Sequence, residues 1–306
     1  MKNRSVPFPA FNVVKLRLRM VTGFIFCAIR IAAPKGGTMT ELVTISIKNH
    51  VADVRFNRPD KYNALSLDMI AAMAKAIERL SKESEVRTVV ISGEGKGFCA
   101  GLDIENFAAM QSKEGNKILN LTDRYENRIT NIFQHIAYGW KQLPMPVIAA
   151  IHGVALGGGC QIALGADIRF CTPDAKFSIM EMRWGLIPDM SASQTIRDLV
   201  SIDVAKELIF TGKIIKGEEA ARLKLVTRVC EKPYEEAMIL AEEIASKNPE
   251  AIRAAKKLLN EVWHGDSARG LLMESELEMT LIGTPNQLEA VSANFEKRMP
   301  TFKDLA

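Results

Sequence analysis

The chain is poor in the residues that build metal centres and covalent staples: its 306 residues include four histidines and five cysteines. His50, His135, His152 and His264 are scattered without H-E-x-x-H or Cys/His spacing, so no metal is predicted. Cys27, Cys99, Cys160, Cys171 and Cys230 are odd in number, contain no C-x-x-C pair and lie mostly inside apolar runs. That pattern excludes a disulfide scaffold and fits buried thiols in a reducing compartment. The apolar stretch 21–33 is interrupted by Arg30 and is too short to span a bilayer, so no membrane partner is predicted.

Acidic residues are absent before Glu41, whereas Lys2, Arg4, Lys15, Arg17, Arg19, Arg30 and Lys35 all precede it. Taking those seven from the 40 basic residues leaves 33 against 36 acidic, a net of about −3 behind a formal total of +4. The body therefore carries no electrostatic footprint for nucleic acid. Residues 1–38 read either as an Arg-rich, acid-poor transit leader or as an extension upstream of a start at Met39. A secretory signal fits less well, because no small-x-small cleavage site is clean. The segment is expected to be poorly ordered, and the protein cytoplasmic, or mitochondrial if the leader reading holds.

Glycine, by contrast, is concentrated where chemistry could sit. The run GVALGGGCQ (153–161) follows the apolar stretch 146–151 and precedes an alanine- and leucine-rich one. A strand feeding Gly157, Gly158 and Gly159 into a helix leaves backbone N–H groups at a helix start, where aligned peptide dipoles favour negative charge. That charge can be a phosphate or an oxygen that becomes negative in a transition state. A second glycine turn, GEGKGFCAG (93–101), follows the β-branched run 88–91. Phe98 stands where a dinucleotide fingerprint needs glycine, and Lys96 is followed by Gly97 rather than the Ser or Thr of a P-loop.

Alternation predicts strands at 42–48 and 51–57 around Asn49-His50, a hairpin signal, with further strands at 88–92, 147–151, 167–171 and 226–230. Ser66 caps a helix carrying Ile70, Met73, Ala74, Ile77 and Leu80 on one face. A long amphipathic helix is predicted from Asn116 to Leu143, presenting Ile118, Leu121, Tyr125, Ile129, Ile132, Ile136 and Trp140 until Pro144 and Pro146 end it. The tail from Tyr234 to Leu305 reads as helical, broken at Asn248-Pro249 and Thr284-Pro285. Strands alternating with helices make the fold class α/β.

The segments RPDKYNALS (58–66), GFCAGLDI (97–104), PVIAAIHGVALGGGCQIALGADIRF (146–170) and FSIMEMRWGLIPD (177–189), in this order, resemble the enoyl-CoA hydratase/isomerase family, the crotonase superfamily. The likeness runs from about Leu42 to the C-terminus. It implies a spiral of strand-strand-helix repeats over 39–233 and a C-terminal helical region, 234–306, that closes the site and builds a homotrimer or dimer of trimers. It also implies an acyl-CoA thioester substrate, with coenzyme A part of the substrate and no separate cofactor.

By the same resemblance, the backbone N–H groups of Leu102 and Gly158 receive the thioester oxygen. Loss of one such donor typically costs roughly 3 kcal/mol of transition-state stabilisation. Gly157 and Gly159 serve backbone geometry. Glu181 falls at a catalytic carboxylate position, where an apolar pocket should raise its pKa and suit it to proton transfer. The other carboxylate of a hydratase is replaced by Gln161, which can hold a water or a polar substrate group but cannot take a proton. Asp189 matches an aspartate of the dienoyl-CoA isomerases, and equally reads as the N-cap of a helix at 191–199. Asp103 belongs to an A-G-x-D pattern in which it more often braces its turn than reacts, and it is expected with Lys61 and Ala64 among the substrate-binding residues. Lys61, Tyr62 and Ala64 fall where the family lines the CoA nucleotide.

These expectations favour double-bond isomerisation by Glu181 and Asp189. The alternative is hydration of a 2-enoyl-CoA with Gln161 helping to hold the water. A reading of another class is a non-catalytic CoA- or RNA-binding member, against which the near-neutral body and the retained Glu181 both argue.

Overall fold

The structure, a computed structural model, describes residues 41–103 and 121–305. The expectations for residues 1–38 and for the start of the predicted long helix lie outside these. The chain opens with β1 (Val43–Lys48) and β2 (Val51–Phe56), an antiparallel hairpin. Asn49 and His50 turn it with φ of 51° and 62°, the left-handed pair that matches the twist of the flanking strands. Helix α1 (Leu67–Leu80) starts at Ser66, whose hydroxyl accepts from Met69 N, and leads to β3 (Thr88–Gly93).

Helix α2 (Ile132–Gln142) is shorter than its periodicity predicts. Asn131 and Gln134 form a capping box, with bonds of 2.8 and 3.0 Å between the side chain of each and the backbone N–H of the other. Before it, Glu126 and Asn127 take φ of 45° and 60°, which no right-handed helix accommodates. The apolar spacing continued across a turn that local capping had already cut.

Next come β4 (Val147–Ile151), β5 (Val154–Leu156), α3 (Gly158–Leu164), β6 (Ile168–Cys171) and β7 (Lys176–Ser178). They are followed by α4 (Ala192–Thr195), α5 (Ile202–Thr211), β8 (Ile215–Lys216), α6 (Gly217–Arg222) and β9 (Arg228–Val229). The tail is α7 (Pro233–Ala245), α8 (Pro249–Val262), α9 (Ser267–Leu281) and α10 (Pro285–Glu296). It is therefore not helical to Leu305, and it has a break not expected from prolines. Asp266 caps α9, its side chain accepting from Arg269 N.

One sheet has the order β1-β2-β3-β4-β6-β9, parallel from β2 onward, and a smaller one has the order β5-β7-β8. Parallel central strands are covered on both faces, and their residues part by alternation. Val89, Ile91, Val147, Ala149 and Ile151 face the core that holds α1, α2 and α3. Val90, Ile148 and Ala150 face Ala237, Ala241 and Ala245 of α7. Those alanines recur every fourth residue, so α7 lies close against the sheet. Each large aliphatic side chain buried this way contributes about 1.5–3 kcal/mol. No helix of the described residues is long and apolar enough to cross a membrane.

Candidate active site

The two glycine turns meet because β5 runs beside the second of them. Phe98 N donates to His152 O (3.0 Å), Cys99 N to Val154 O (2.9 Å) and Leu156 N to Cys99 O (3.0 Å). On the other side the segment 58–66 is stitched to the same turn: Ala100 N donates to Tyr62 O, Leu65 N to Gly101 O and Asp103 N to Leu65 O, at 2.9, 2.8 and 3.2 Å. The approach leaves no room for side chains. A methyl group on Gly159 would lie 2.2 Å from Cys99 O, and one on Gly101 would lie 2.5 Å from Leu156 O. Gly101 also has φ of +87°, which a side chain resists.

The methyl position on Gly101 is 3.4 Å from the Gly158 nitrogen, so the amide after Gly101 and the amide at the start of α3 are neighbours. Neither the Leu102 N–H nor the Gly158 N–H donates to an oxygen of the described residues. For Gly158 this follows from helix geometry, since the first N–H groups of a helix have no carbonyl four residues back within it. Gly157, the N-cap with φ of 51°, instead gives its N–H to Ser178 O at 2.8 Å.

Glu181 begins a short 3₁₀ turn (Glu181–Trp184) after β7, and its carboxylate comes to the glycine triplet. A methyl group on Gly157 would sit 3.4 Å from Glu181 Oε1. That oxygen accepts from Gln161 Nε2 at 2.6 Å, while Oε2 is buried with no hydrogen-bond partner. Burial raises the Glu181 pKa, the Asp189 charge acts the same way, and the Gln161 bond with the residue's own N–H opposes them. Burial also raises Asp189.

Gln161 is fully buried on α3. Its carbonyl oxygen accepts from Met190 N (2.9 Å) and Ala192 N (3.3 Å), which fixes the amide orientation and aims the NH₂ at Glu181. These bonds fill the acceptor of Gln161 twice and engage one of its two N–H donors. Asp189 is not the cap of the following helix. The N-cap position is Ser191, in the left-handed region and without a side-chain cap bond.

Asp103 is buried and paired with Arg58 Nη1 at 2.5 Å. The same guanidinium nitrogen also donates to Ala64 O at 3.1 Å, so Asp103 and Arg58 together brace the turn. Lys61 and Tyr62 are exposed and Ala64 is buried, at the outer edge of this segment. Two residues with structural control over the site were missed. Arg58 is one. Asn63 is the other: with φ of 57° and no exposure, it accepts from Arg58 N (2.8 Å) and donates to Glu94 O (3.0 Å) and Gly97 O (2.8 Å). An Asn between a short turn and an apolar run is the available signal, because Asn tolerates that conformation and bonds backbone on both sides.

Fold and site together define a class: a layered α/β protein whose two glycine turns meet at a helix start, beside a desolvated glutamate. The pattern of the enoyl-CoA hydratase/isomerase family matches residues 46–305. The chain is 36% identical over 261 residues to the short-chain-enoyl-CoA hydratase of Clostridium acetobutylicum, covering 84% of this chain and 95% of that protein. It is 32% identical over 270 residues to the peroxisomal Delta(3,5)-Delta(2,4)-dienoyl-CoA isomerase of Arabidopsis thaliana, covering 87% and 97%. The crystal structure of an enoyl-CoA hydratase from Bacillus anthracis aligns with a TM-score of 0.78 at 32% identity, over 86% of this chain and 99% of that one. The chain belongs to the enoyl-CoA hydratase/isomerase family.

Proposed function

We propose that this protein isomerises a carbon–carbon double bond in an acyl-CoA thioester. In this reading the Leu102 and Gly158 amides receive the thioester oxygen. Glu181 Oε2 removes a proton from carbon, and the electron pair of that C–H bond moves into the conjugated system, ending on the oxygen as an enolate. Two fixed donors stabilise charge that is absent from the ground state, which is what lowers a barrier rather than merely tightening binding. When the enolate collapses, a proton carried by Asp189 is delivered to a carbon further along the chain, and proton exchange with solvent then returns Glu181 to its base form and Asp189 to its acid form. The double bond has then moved and no atom has been gained or lost.

The observation that supports this over hydration is the engagement of Gln161. Hydration needs a group that orients and activates water. Gln161 has its oxygen bonded to two amides and its nitrogen to Glu181, whereas Glu181 and Asp189 are both desolvated carboxyls with raised proton affinity. A raised proton affinity suits a carboxyl to take up and return a proton. Hydration of a 2-enoyl-CoA is the second reading, favoured by the likeness to the Clostridium hydratase. The exposed Leu271, Leu272, Met279 and Phe295 of the tail suit the trimer expected from the resemblance.

The two reactions separate in one assay. Purified protein is mixed with crotonyl-CoA and with a 3,5-dienoyl-CoA, and ultraviolet absorbance is followed. Isomerisation shifts the dienoyl band and leaves crotonyl-CoA intact. Bleaching of crotonyl-CoA with no change in the dienoyl substrate would replace this proposal with the hydratase.

A further inference from the structure

Gln161 lies between the base and the segment that carries Asp189, and all three of its contacts run between them. We propose that Gln161 is a positioning residue that clamps the Glu181 carboxylate to the Met190 and Ala192 amides, so that Oε2 alone faces the substrate. The inference rests on the reading of Glu181 as the base.

The geometry requires a two-way grip. A carboxylate on a single 3₁₀ turn is free to rotate about its terminal bond, which interchanges its oxygens. The Gln161 NH₂ bond at 2.6 Å removes that freedom by holding Oε1. The glutamine can hold it only because its own carbonyl is fixed from behind by the bonds at 2.9 and 3.3 Å. Gln161 is inaccessible to solvent, so water does not compete for these bonds. Oε2 is left buried and unpartnered, which is costly unless something arrives to use it. The donor also favours the charged form of Glu181, offsetting part of what burial and Asp189 do to it. The titratable groups in electrostatic contact with Glu181 are Asp189, beyond the same 3₁₀ turn, and Cys160, on α3.

The test uses the full chain with Gln161→Met and Gln161→Glu. The first removes every polar contact at similar volume. The second keeps an oxygen for the Met190 and Ala192 amides but replaces the donor to Glu181 with a like charge. In both, the acid limb of kcat/KM against pH moves to higher pH, by about one unit or more in Gln161→Glu, and kcat falls on the order of 10²-fold through misplacement of the base. Neither variant loses further activity in a Glu181→Gln background, because Gln161 acts through Glu181. Circular dichroism and CoA-thioester binding identify folded variants, and the nearly isosteric Gln161→Glu carries the test if Gln161→Met does not fold. A fall in kcat with an unmoved acid limb would reduce Gln161 to a packing role and overturn the clamp. Retention of activity by Glu181→Gln alone would instead overturn the reading of Glu181 as base.

Discussion

Replacement of Gly101 by alanine tests the meeting of the two turns most directly. Two costs follow from the structure. The first is conformational: with φ of +87°, an L-residue pays about 1–2 kcal/mol. The second is steric and falls on the site. The new methyl group would stand 2.5 Å from Leu156 O, a backbone atom that cannot rotate away. Restoring ordinary contact separates the loops by roughly an ångström, a displacement that costs on the order of 10²-fold when it misplaces catalytic groups. Gly283 supplies the control. Its φ is +79° and a methyl group there meets nothing within 4 Å, so Gly283→Ala carries the strain without the clash. Both variants should lose about 1–2 kcal/mol to backbone strain in denaturant titrations, and Gly101→Ala about 1–3 kcal/mol more from the clash. Only Gly101→Ala should also lose about 10²-fold in kcat on an enoyl- or dienoyl-CoA followed by absorbance. If folded Gly101→Ala turned over at the rate of Gly283→Ala, the paired amides would not be the source of catalysis.

Three further outcomes are expected. Glu181→Gln should bind CoA thioesters yet lose roughly 10²–10⁴-fold in kcat, the usual share of a general base, and near wild-type turnover would remove Glu181 from the mechanism. Lys256 of α8, buried with its Nζ donating to Asp167 Oδ2 (2.7 Å) and Met145 O (2.9 Å), ties the tail to the core. Lys256→Met should cost about 1–3 kcal/mol in equilibrium unfolding by leaving the half-buried Asp167 carboxylate without this cation, and a loss below about 0.5 would count against the tie. His135 is buried with neither ring nitrogen hydrogen-bonded, and burial, helped by the Arg128 charge, pushes its pKa down to about 4. The unfolded chain binds this proton from about pH 6.5 downward while the native state does not, so the stability contribution is complete above 6.5 and is lost as pH falls toward 4. His135→Phe should shrink the stability difference between pH 7 and pH 5 by about 1–2 kcal/mol, and an unchanged difference would contradict a neutral buried imidazole.

What was legible in the chain was local. The hairpin at Asn49-His50, the Ser66 cap, the buried parallel strands and the glycine turns all follow from backbone sterics and side-chain alternation within a few residues. The start of α2 was also local, yet it was overlooked: the Asn131–Gln134 box overrides an apolar period that continues upstream. The smaller sheet left no such trace. Strands β5, β7 and β8 have three, three and two residues, too few to display a period, and they exist because neighbours from distant parts of the chain supply their hydrogen bonds.

The candidate site divides along the same line. Glu181 and the glycines could be picked out by residue type and family pattern, because a carboxyl and a bare backbone are recognisable one at a time. What Gln161 does could not, since an amide is defined by its partners, and these lie 20, 29 and 31 positions away along the chain. The same holds for Arg58, which braces a carboxylate 45 residues on. Sequence alone determined which groups are available for chemistry. Tertiary structure decided which of their hydrogen bonds are already made, and so which atoms remain for a substrate.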